Sequence, residues 1–350
     1  MATPKKTLNI LHIDTGTNWR GGQRQVLTLH SLLLKKGVKS SLACNKHGKL
    51  YEFAKDKKIP RIIGMEYKSQ FSYKCHKEIN KISAEINPGI VHCHDSHSVS
   101  LVRFLNKPLK FHTRRVSYPI NFLSILFKYS SIDVHIGVSN EIRDYMARYF
   151  EKSYTIHSCV DKNRFINKES YPKFDSKQIN LLFVGAFSTQ KGIEILISAF
   201  KKLVNSYSNI CLHMVGDGKL LDSVRKEVMD NGLSKKVNLY GAKKDIEKFY
   251  LASDIVICPS VSGEGSSGVI KEAIAAKKII VASNLSCNME IIEDGINGFL
   301  FENKNVENLI EVVGKVIDKK AKIDMIQLDK TTKKFSCEKM THEYLKLYML

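Results

Sequence analysis

The sequence predicts an α/β protein of two doubly wound domains facing a cleft. Three observations carry that expectation. Short runs rich in Ile, Val and Leu alternate with amphipathic stretches along most of the chain, the pattern of parallel strands buried on both faces beneath helices. The alternation is broken once, by the polar stretch DKNRFINKESYPKFDSKQIN (161–180), and then begins again. The length of 350 residues suits two domains.

In the first half, LNILHID (8–14) reads as a buried strand, and GQRQVLTLHSLLLKK (22–36) has apolar residues at helical spacing. VKSSLACN (38–45), PRIIGME (60–66), GIVHCHD (89–95), LKFHTRR (109–115) and DVHIGVS (133–139) continue as strands, with helices between them. The 161–180 stretch reads as a linker. In the second half the strands are LLFVGAF (181–187), ICLHMVG (210–216), KVNLYG (236–241), DIVICPS (254–260), KIIVASN (278–284) and GFLF (298–301). Helices are expected near 192–206, 219–231, 244–251, 267–276 and 305–318. The expected domains are 1–165 and 166–335. The last segment, 336–350, is a helix that either crosses back to the first domain or caps the second. In doubly wound sheets ligands bind outside the carboxyl ends of the strands.

Composition narrows the function classes. With 43% hydrophobic and 26% charged residues the chain is an ordinary globular one. No apolar run approaches a membrane span, and the N-terminal segment lacks the apolar core of a secretory signal, so a cytoplasmic location is expected. The eight cysteines show no CxxC pair, which speaks against a structural metal site or a disulfide framework. The net charge is +20, and its distribution is uneven. Residues 1–172 hold 29 basic against 13 acidic side chains, and the remainder 26 against 22. A basic first half implies solvated lysine-rich faces or an anionic partner such as a membrane surface or a phosphorylated substrate. Nucleic acid ranks last, because no nucleic-acid-binding motif is present and the lysines are dispersed.

Three segments can carry chemistry. Gly21 and Gly22 stand where the first helix begins, letting backbone approach a ligand closely. Lys191, in STQKG, lies at the matching place in the second half. The strongest segment is 259–273, with Glu264, then Gly265, Ser266, Ser267 and Gly268 as a turn into a helix, then Glu272 one turn on. Such a turn offers N–H groups to an anion, and carboxylates accept hydrogen bonds from hydroxyls. A diphosphate between two polyhydroxylated rings satisfies all three features. His92, His94 and His97 end a strand; HxH spacing can bind zinc, but no third and fourth ligand is evident. SYPINFLSILFKYSS (117–131) reads as a helix packed on the first sheet, with a membrane-interface segment as the second reading.

These residues also carry a resemblance. Glu264-Gly-Ser-Ser-Gly-x-x-x-Glu272 resembles the E-x7-E signature of retaining family 4 glycosyltransferases, which have the two-Rossmann GT-B fold. VGAFSTQKGIEIL, HMVGDGKLLDSV, NLYGAKKDIEKFYLASDIVICPS, DGINGFLF and WRGGQRQV are similar to further motifs of that family. The resemblance implies sugar transfer from a nucleoside-diphosphate sugar to a glycan or lipid-linked acceptor, with retention, no cofactor and no metal. Lys191 and the backbone at Ser266, Ser267 and Gly268 would hold the donor diphosphate. Glu272 would bind the ribose, Glu264 the donor sugar, and Gly21 and Gly22 would line the opposite wall. The base would lie along 241–245. Two departures stand out. Ala186 replaces a customary arginine, leaving Arg24, Arg114 or Arg115 to supply the second positive charge. His112 precedes Thr113 rather than following it, so His112 or Arg115 takes the place of the usual first-domain histidine. Surface polysaccharide, lipopolysaccharide or glycolipid synthesis is the expected setting, with a nucleotide-sugar epimerase as the rival enzyme class.

Overall fold

The computed structural model describes residues 8–166, 174–319 and 323–350. The chain forms two compact units. The first comprises residues 1–159 together with 337–350, and the second residues 160–336.

Unit 1 is built on seven parallel strands: β1 (Asn9–Asp14), β2 (Lys39–Asn45), β3 (Ile62–Met65), β4 (Ile90–Cys93), β5 (Leu109–Arg114), β6 (Val134–Gly137) and β7 (Ser153–Thr155). Their order in the sheet is β3-β2-β1-β4-β5-β6-β7, so the chain reverses its direction of travel between β1 and β4. The covering helices are α1 (Gly21–Lys35), α2 (Lys49–Asp56), α3 (Tyr73–Ile86), α4 (Ser96–Leu101), α5 (Phe122–Phe127) and α6 (Asn140–Ala147). Strand alternation sends Leu11 and Ile13 to the core beside α3, α4 and α6, and Ile10 to the core beside α1.

Unit 2 repeats the plan with six strands. These are β8 (Ile179–Val184), β9 (Ile210–Val215), β10 (Val237–Leu239), β11 (Ile255–Cys258), β12 (Ile279–Ser283) and β13 (Phe299–Phe301). The order β10-β9-β8-β11-β12-β13 places the reversal between β8 and β11. Its helices are α7 (Ile193–Ser206), α8 (Leu221–Asp230), α9 (Ile246–Ala252), α10 (Gly268–Ala275), α11 (Ser286–Met289), α12 (Val306–Ile317) and α13 (Met325–Lys334). Leu181 and Phe183 of β8 face the core under α7 and α12, while Leu182 faces the other core under α9 and α10. Both sheets are Rossmann-like.

The last helix, α14 (Cys337–Tyr348), belongs to unit 1. It buries Met340, Tyr344, Leu347 and Tyr348 with Leu29 and Leu33 of α1 and with Phe111 of β5. Burying side chains of this size contributes about 1.5–3 kcal/mol each. All eight cysteines are free and buried.

The structure corrects two readings of the sequence. The stretch taken as a linker is ordered over its described ends. Residues 162–165 form a 3-10 turn whose Phe165 is buried in unit 2, and 179–180 already belong to β8. Residues 167–173 lie outside the described part. The 117–131 segment is not a helix laid flat on the sheet. It holds the short α5, which buries Ile125 and leaves Phe122, Leu123, Leu126 and Phe127 exposed, and then a 3-10 turn at residues 129–131 that buries Tyr129. Among the described residues no helix is long and apolar enough to cross a membrane.

Candidate active site

In unit 2 the loops after β8 and β11 flank the point where strand order reverses, the place where such sheets bind ligands. Lys191 comes from the first loop. Glu264, Ser266, Ser267 and Gly268 come from the second.

A close backbone contact joins the two loops. Lys191 ends a 3-10 turn (Thr189–Lys191), and Gly192 follows with φ +64°, the left-handed region that glycine enters without strain. A Cβ at Gly192 would stand 1.9 Å from the Pro259 carbonyl oxygen, so only glycine permits this approach. The Val261 N–H then donates to the Gln190 carbonyl at 2.8 Å. Beneath the second loop, the Ser283 hydroxyl donates to the Ser260 carbonyl at 2.6 Å, and the Asn288 amide donates to the Ser283 carbonyl at 2.9 Å.

This scaffold brings the Lys191 ammonium onto Glu264 Oε1 in a direct ion pair, where the Ser260 hydroxyl also donates, at 2.7 Å. Burial opposes the charge on Lys191, but the Glu264 carboxylate outweighs it and holds the ammonium above its ordinary pKa. Lysine and glutamate are therefore each other's partner.

Helix α10 begins at Ser267 without a side-chain cap. Its first N–H groups thus keep the partial positive charge of a helix N-terminus. The space over Gly268 is open. Behind this turn lies a group the sequence reading overlooked. Lys271 is 1% exposed, and its ammonium donates to the Ser266 hydroxyl at 2.5 Å while lying 4.9 Å from the centre of the Phe335 ring. A buried ammonium here adds positive potential to the same turn.

Glu272 is held from two sides. Arg164 Nη1 donates to Oε1 at 2.8 Å, and the Tyr250 hydroxyl donates to Oε2 at 2.9 Å. Arg164 Nε also binds Glu247 Oε1, at 2.6 Å. Burial works against the guanidinium, yet the two carboxylates outweigh it and raise its pKa. Burial, then the adjacent Glu272, pushes the Tyr250 phenol well above its usual value, which keeps it a donor. Ala186, two residues past the end of β8, is exposed. A surface hollow of about 490 Å³ lined by Ile292, Asn297, Gln327, Thr331 and Lys334, among others, includes none of the candidate catalytic or donor-binding residues.

Unit 1 has its own cluster at the reversal between β1 and β4. The Thr15 N–H donates to Asp95 Oδ2 at 2.7 Å, and its hydroxyl donates to Oδ1 at 2.9 Å. Asp14 accepts from the Gly16 N–H at 2.9 Å and from the Gln23 amide at 3.2 Å. Burial first, then the neighbouring Asp95, raises Asp14 to about 6. A Cβ at Gly22 would lie 3.3 Å from Arg115 Cδ, so that glycine lets the arginine pack against the start of α1; the space over Gly21 is open. Arg24 is half-buried in the same helix.

Arg115 donates to His94 Nδ1 at 3.1 Å. Since that nitrogen accepts, His94 Nε2 carries the proton and donates to His12 Nδ1 at 2.9 Å. His92 uses one nitrogen on the Tyr348 hydroxyl (2.6 Å) and the other on Thr113 (2.7 Å). His12, the third histidine that the sequence did not reveal, brings three sets of ligating atoms within 4.8 Å. A metal ion would have to displace these hydrogen bonds, for only His12 Nε2 lacks a partner among the six ring nitrogens. Burial, reinforced by the neighbouring histidines, pushes all three well below their ordinary values. The cluster fits neutral hydrogen-bonded imidazoles better than zinc. His97 stands apart, with Nδ1 3.3 Å from Gln70 Oε1.

His112 points to the opposite face of β5 from Thr113. Its ring is buried against Tyr129 and His135, and Nδ1 has no partner. Arg114, on the same face, donates to the Tyr118 carbonyl.

Comparison with known proteins agrees with this architecture. A family model for Glycosyltransferase Family 4 matches residues 19–164, and one for Glycosyl transferases group 1 matches residues 164–335. An uncharacterized glycosyltransferase of Methanocaldococcus jannaschii is 32% identical over 235 residues, 63% of this chain and 61% of the relative. An uncharacterized glycosyltransferase of Haemophilus influenzae is 29% identical over 161 residues, 46% of this chain and 45% of the relative. The matches thus span about half to three-fifths of these curated relatives. A phosphatidyl-myo-inositol mannosyltransferase of Mycolicibacterium smegmatis is 27% identical over 298 residues, 80% of this chain and 76% of the relative. Among solved structures, a glycosyltransferase from Rickettsia africae shares the fold with a TM-score of 0.84 at 22% identity, covering 98% of each chain. Anabaena HepE in complex with UDP does so with a TM-score of 0.85 at 16% identity, covering 98% of this chain and all of that one. The two family models together run from residue 19 to residue 335, and the chain belongs to the GT-B glycosyltransferases, with a Family 4 half followed by a group 1 half.

Proposed function

We propose that the protein transfers a sugar from a nucleoside-diphosphate sugar to an acceptor hydroxyl, with retention at the anomeric carbon and without a metal. The observation that carries this reading is the cationic turn of unit 2, where an uncapped helix N-terminus, Lys191 and the buried Lys271 converge on loops 188–192 and 264–268. UDP and UDP-glucose complexes of the similarly folded Anabaena protein support a nucleotide-sugar donor and make UDP the first base to test.

In this reading the donor diphosphate lies against the N–H groups at Ser267 and Gly268. Lys191 exchanges part of its pairing with Glu264 for a phosphate oxygen. The freed face of Glu264 accepts hydrogen bonds from the donor sugar. Glu272, held by Arg164 and Tyr250, accepts from the ribose. As the glycosidic C–O bond breaks, negative charge grows on the leaving diphosphate, and preorganised donors stabilise it without rearrangement. The sugar takes on oxocarbenium character. The acceptor oxygen attacks from the face that the diphosphate leaves, and its proton passes to a diphosphate oxygen. No side chain is required as a covalent nucleophile. Lys271 stands in for the charge missing at Ala186. In unit 1 we assign the acceptor side to the ends of β1 and β4, with Arg115 rather than the buried His112 as the group presented there. A glycan or lipid-linked acceptor fits this reading.

The test is a donor screen with UDP-, GDP- and ADP-sugars, followed by NMR assignment of the product's anomeric centre. Transfer from an α-linked donor should give an α-linked product in buffer containing a chelator. An inverted product, or donor turnover that needs no acceptor, as an epimerase would show, would overturn the reading.

A further inference from the structure

Unit 1 exposes a cluster of large apolar side chains in an acid-free stretch of sequence. Phe122, Leu123, Leu126 and Phe127 of α5 are each 48–64% exposed, although the helix is anchored through Ile125. The patch extends beyond α5. At the end of the helix the Lys128 ammonium donates to Gln70 Oε1 at 3.0 Å, next to Phe71, which is 84% exposed. The Gln70 carbonyl lies 3.0 Å from His76 Nε2, and the His76 ring packs on Phe104, itself 66% exposed. Gln70 therefore gathers three separate segments onto one surface. Soluble monomers seldom expose so many large apolar groups together unless the surface meets something.

The charge around the patch points to its occupant. Residues 96–132 contain no acidic side chain; of their six basic ones Arg114 is buried and Arg115 packs against α1, which leaves Arg103, Lys107, Lys110 and Lys128. Arg103 holds its guanidinium 5.5 Å from the centre of the Phe104 ring, and Lys68, Lys74 and Lys107 are exposed. Aromatic and aliphatic groups surrounded by lysine and arginine match a lipid interface, where rings enter the headgroup layer and cations meet anionic phosphates. A folded protein partner would more often meet a surface low in lysine. We propose that unit 1 docks on an anionic lipid surface through α5, Phe71 and Phe104, with the exposed Arg103 and Lys107 meeting the headgroup phosphates.

The experiment is vesicle co-sedimentation of the full chain, with phosphatidylcholine alone and with mixed phosphatidylglycerol and phosphatidylcholine. The wild type should bind the anionic vesicles, more weakly at high salt, and bind neutral vesicles poorly. The F122S/F127S variant changes only exposed side chains and should keep the wild-type circular dichroism and melting temperature. Its bound-to-free ratio on anionic vesicles should fall about tenfold or more. The R103Q/K107Q variant should lose the preference for anionic over neutral vesicles. Wild type that stays in the supernatant, equal binding to both vesicle types, or undiminished binding by F122S/F127S would each overturn the proposal. So would wild-type self-association in the absence of lipid that F122S/F127S abolishes, since the surface would then belong to a second copy. None of these readouts depends on sugar transfer, so this result and the proposed reaction fail separately.

Discussion

Lys191 and Glu264 illustrate how two charges can be both a structural pair and a reaction site. Paired, they neutralise each other. With a donor bound, the lysine is needed by the diphosphate and the glutamate by the sugar. K191A should reduce transfer about 100- to 1,000-fold, the scale of losing one preorganised donor to a developing anion. Steady-state kinetics would check this, and an activity within a few-fold of wild type would refute the assignment. Lys271 gives a second prediction. K271M should leave the helix intact, because Met suits a buried apolar site, yet weaken nucleoside-diphosphate binding about tenfold by removing the charge behind Ser266. Unchanged affinity by calorimetric titration would make Lys271 a packing residue only. At this scale the sequence was readable where chemistry is local. Glu264, Ser266, Gly268 and Glu272 fall within nine residues, and their spacing announces a turn into a helix. It was silent where partners are distant. Arg164 lies 108 residues from Glu272, in a stretch that looks like a linker, and Asp95 lies 80 residues from Thr15. Lys271 escaped notice because a lone lysine in an apolar helix is normally drawn at the surface.

Among the elements, the strands were legible except β7, since each of the others is a compact run of β-branched and aliphatic residues between turns, whereas β7 is only Ser-Tyr-Thr. The α5 segment was not, because exposure of an apolar side chain depends on what covers it. The turn at Gly192 is the element on which the unit 2 site depends most. G192A should destabilise the protein by about 2–4 kcal/mol, from the left-handed backbone and the overlap with the Pro259 carbonyl, and should lower transfer as well. Thermal melts would check it; a wild-type melting temperature would mean that the two loops are not in contact. The C-terminal helix makes a second case. Y348F removes the hydroxyl that pairs with His92 and leaves a buried imidazole nitrogen unsatisfied, at a cost of about 1–3 kcal/mol. A neutral substitution would place Tyr348 outside that hydrogen-bond network.

For the whole molecule, buried histidines set the response to pH. Burial lowers the pKa of His12, His30, His92, His94, His112 and His135 in unit 1, and of His213 in unit 2. His135 and His213 fall to about 4. The unfolded chain takes up these protons near pH 6.5, and the folded chain only well below it. The stability they provide is therefore complete above about pH 6.5 and is lost as pH falls toward 4. Asp14 acts in the opposite sense: raised from 3.8 to about 6, its effect is to lower stability as pH rises across that interval. Six histidines outweigh one aspartate, so the melting temperature of unit 1 should fall further than that of unit 2 as pH drops from 7 to 5. Scanning calorimetry with tryptophan fluorescence reports it, since Trp19 stacks on Phe53 in unit 1. Parallel falls for both units, or a larger fall for unit 2, would contradict the balance.

The central claim is that a nucleoside diphosphate binds at the β8–β11 reversal with Lys191 as its cationic partner. The most direct measurement is calorimetric titration of UDP, GDP and ADP into the wild type, K191A and E264Q. The tightest of the three should bind K191A at least about tenfold more weakly. It should bind E264Q as tightly as wild type or more so, because that change releases the lysine from its ion pair. No binding of any nucleotide by the wild type, full affinity in K191A, or a matching loss in E264Q would contradict it.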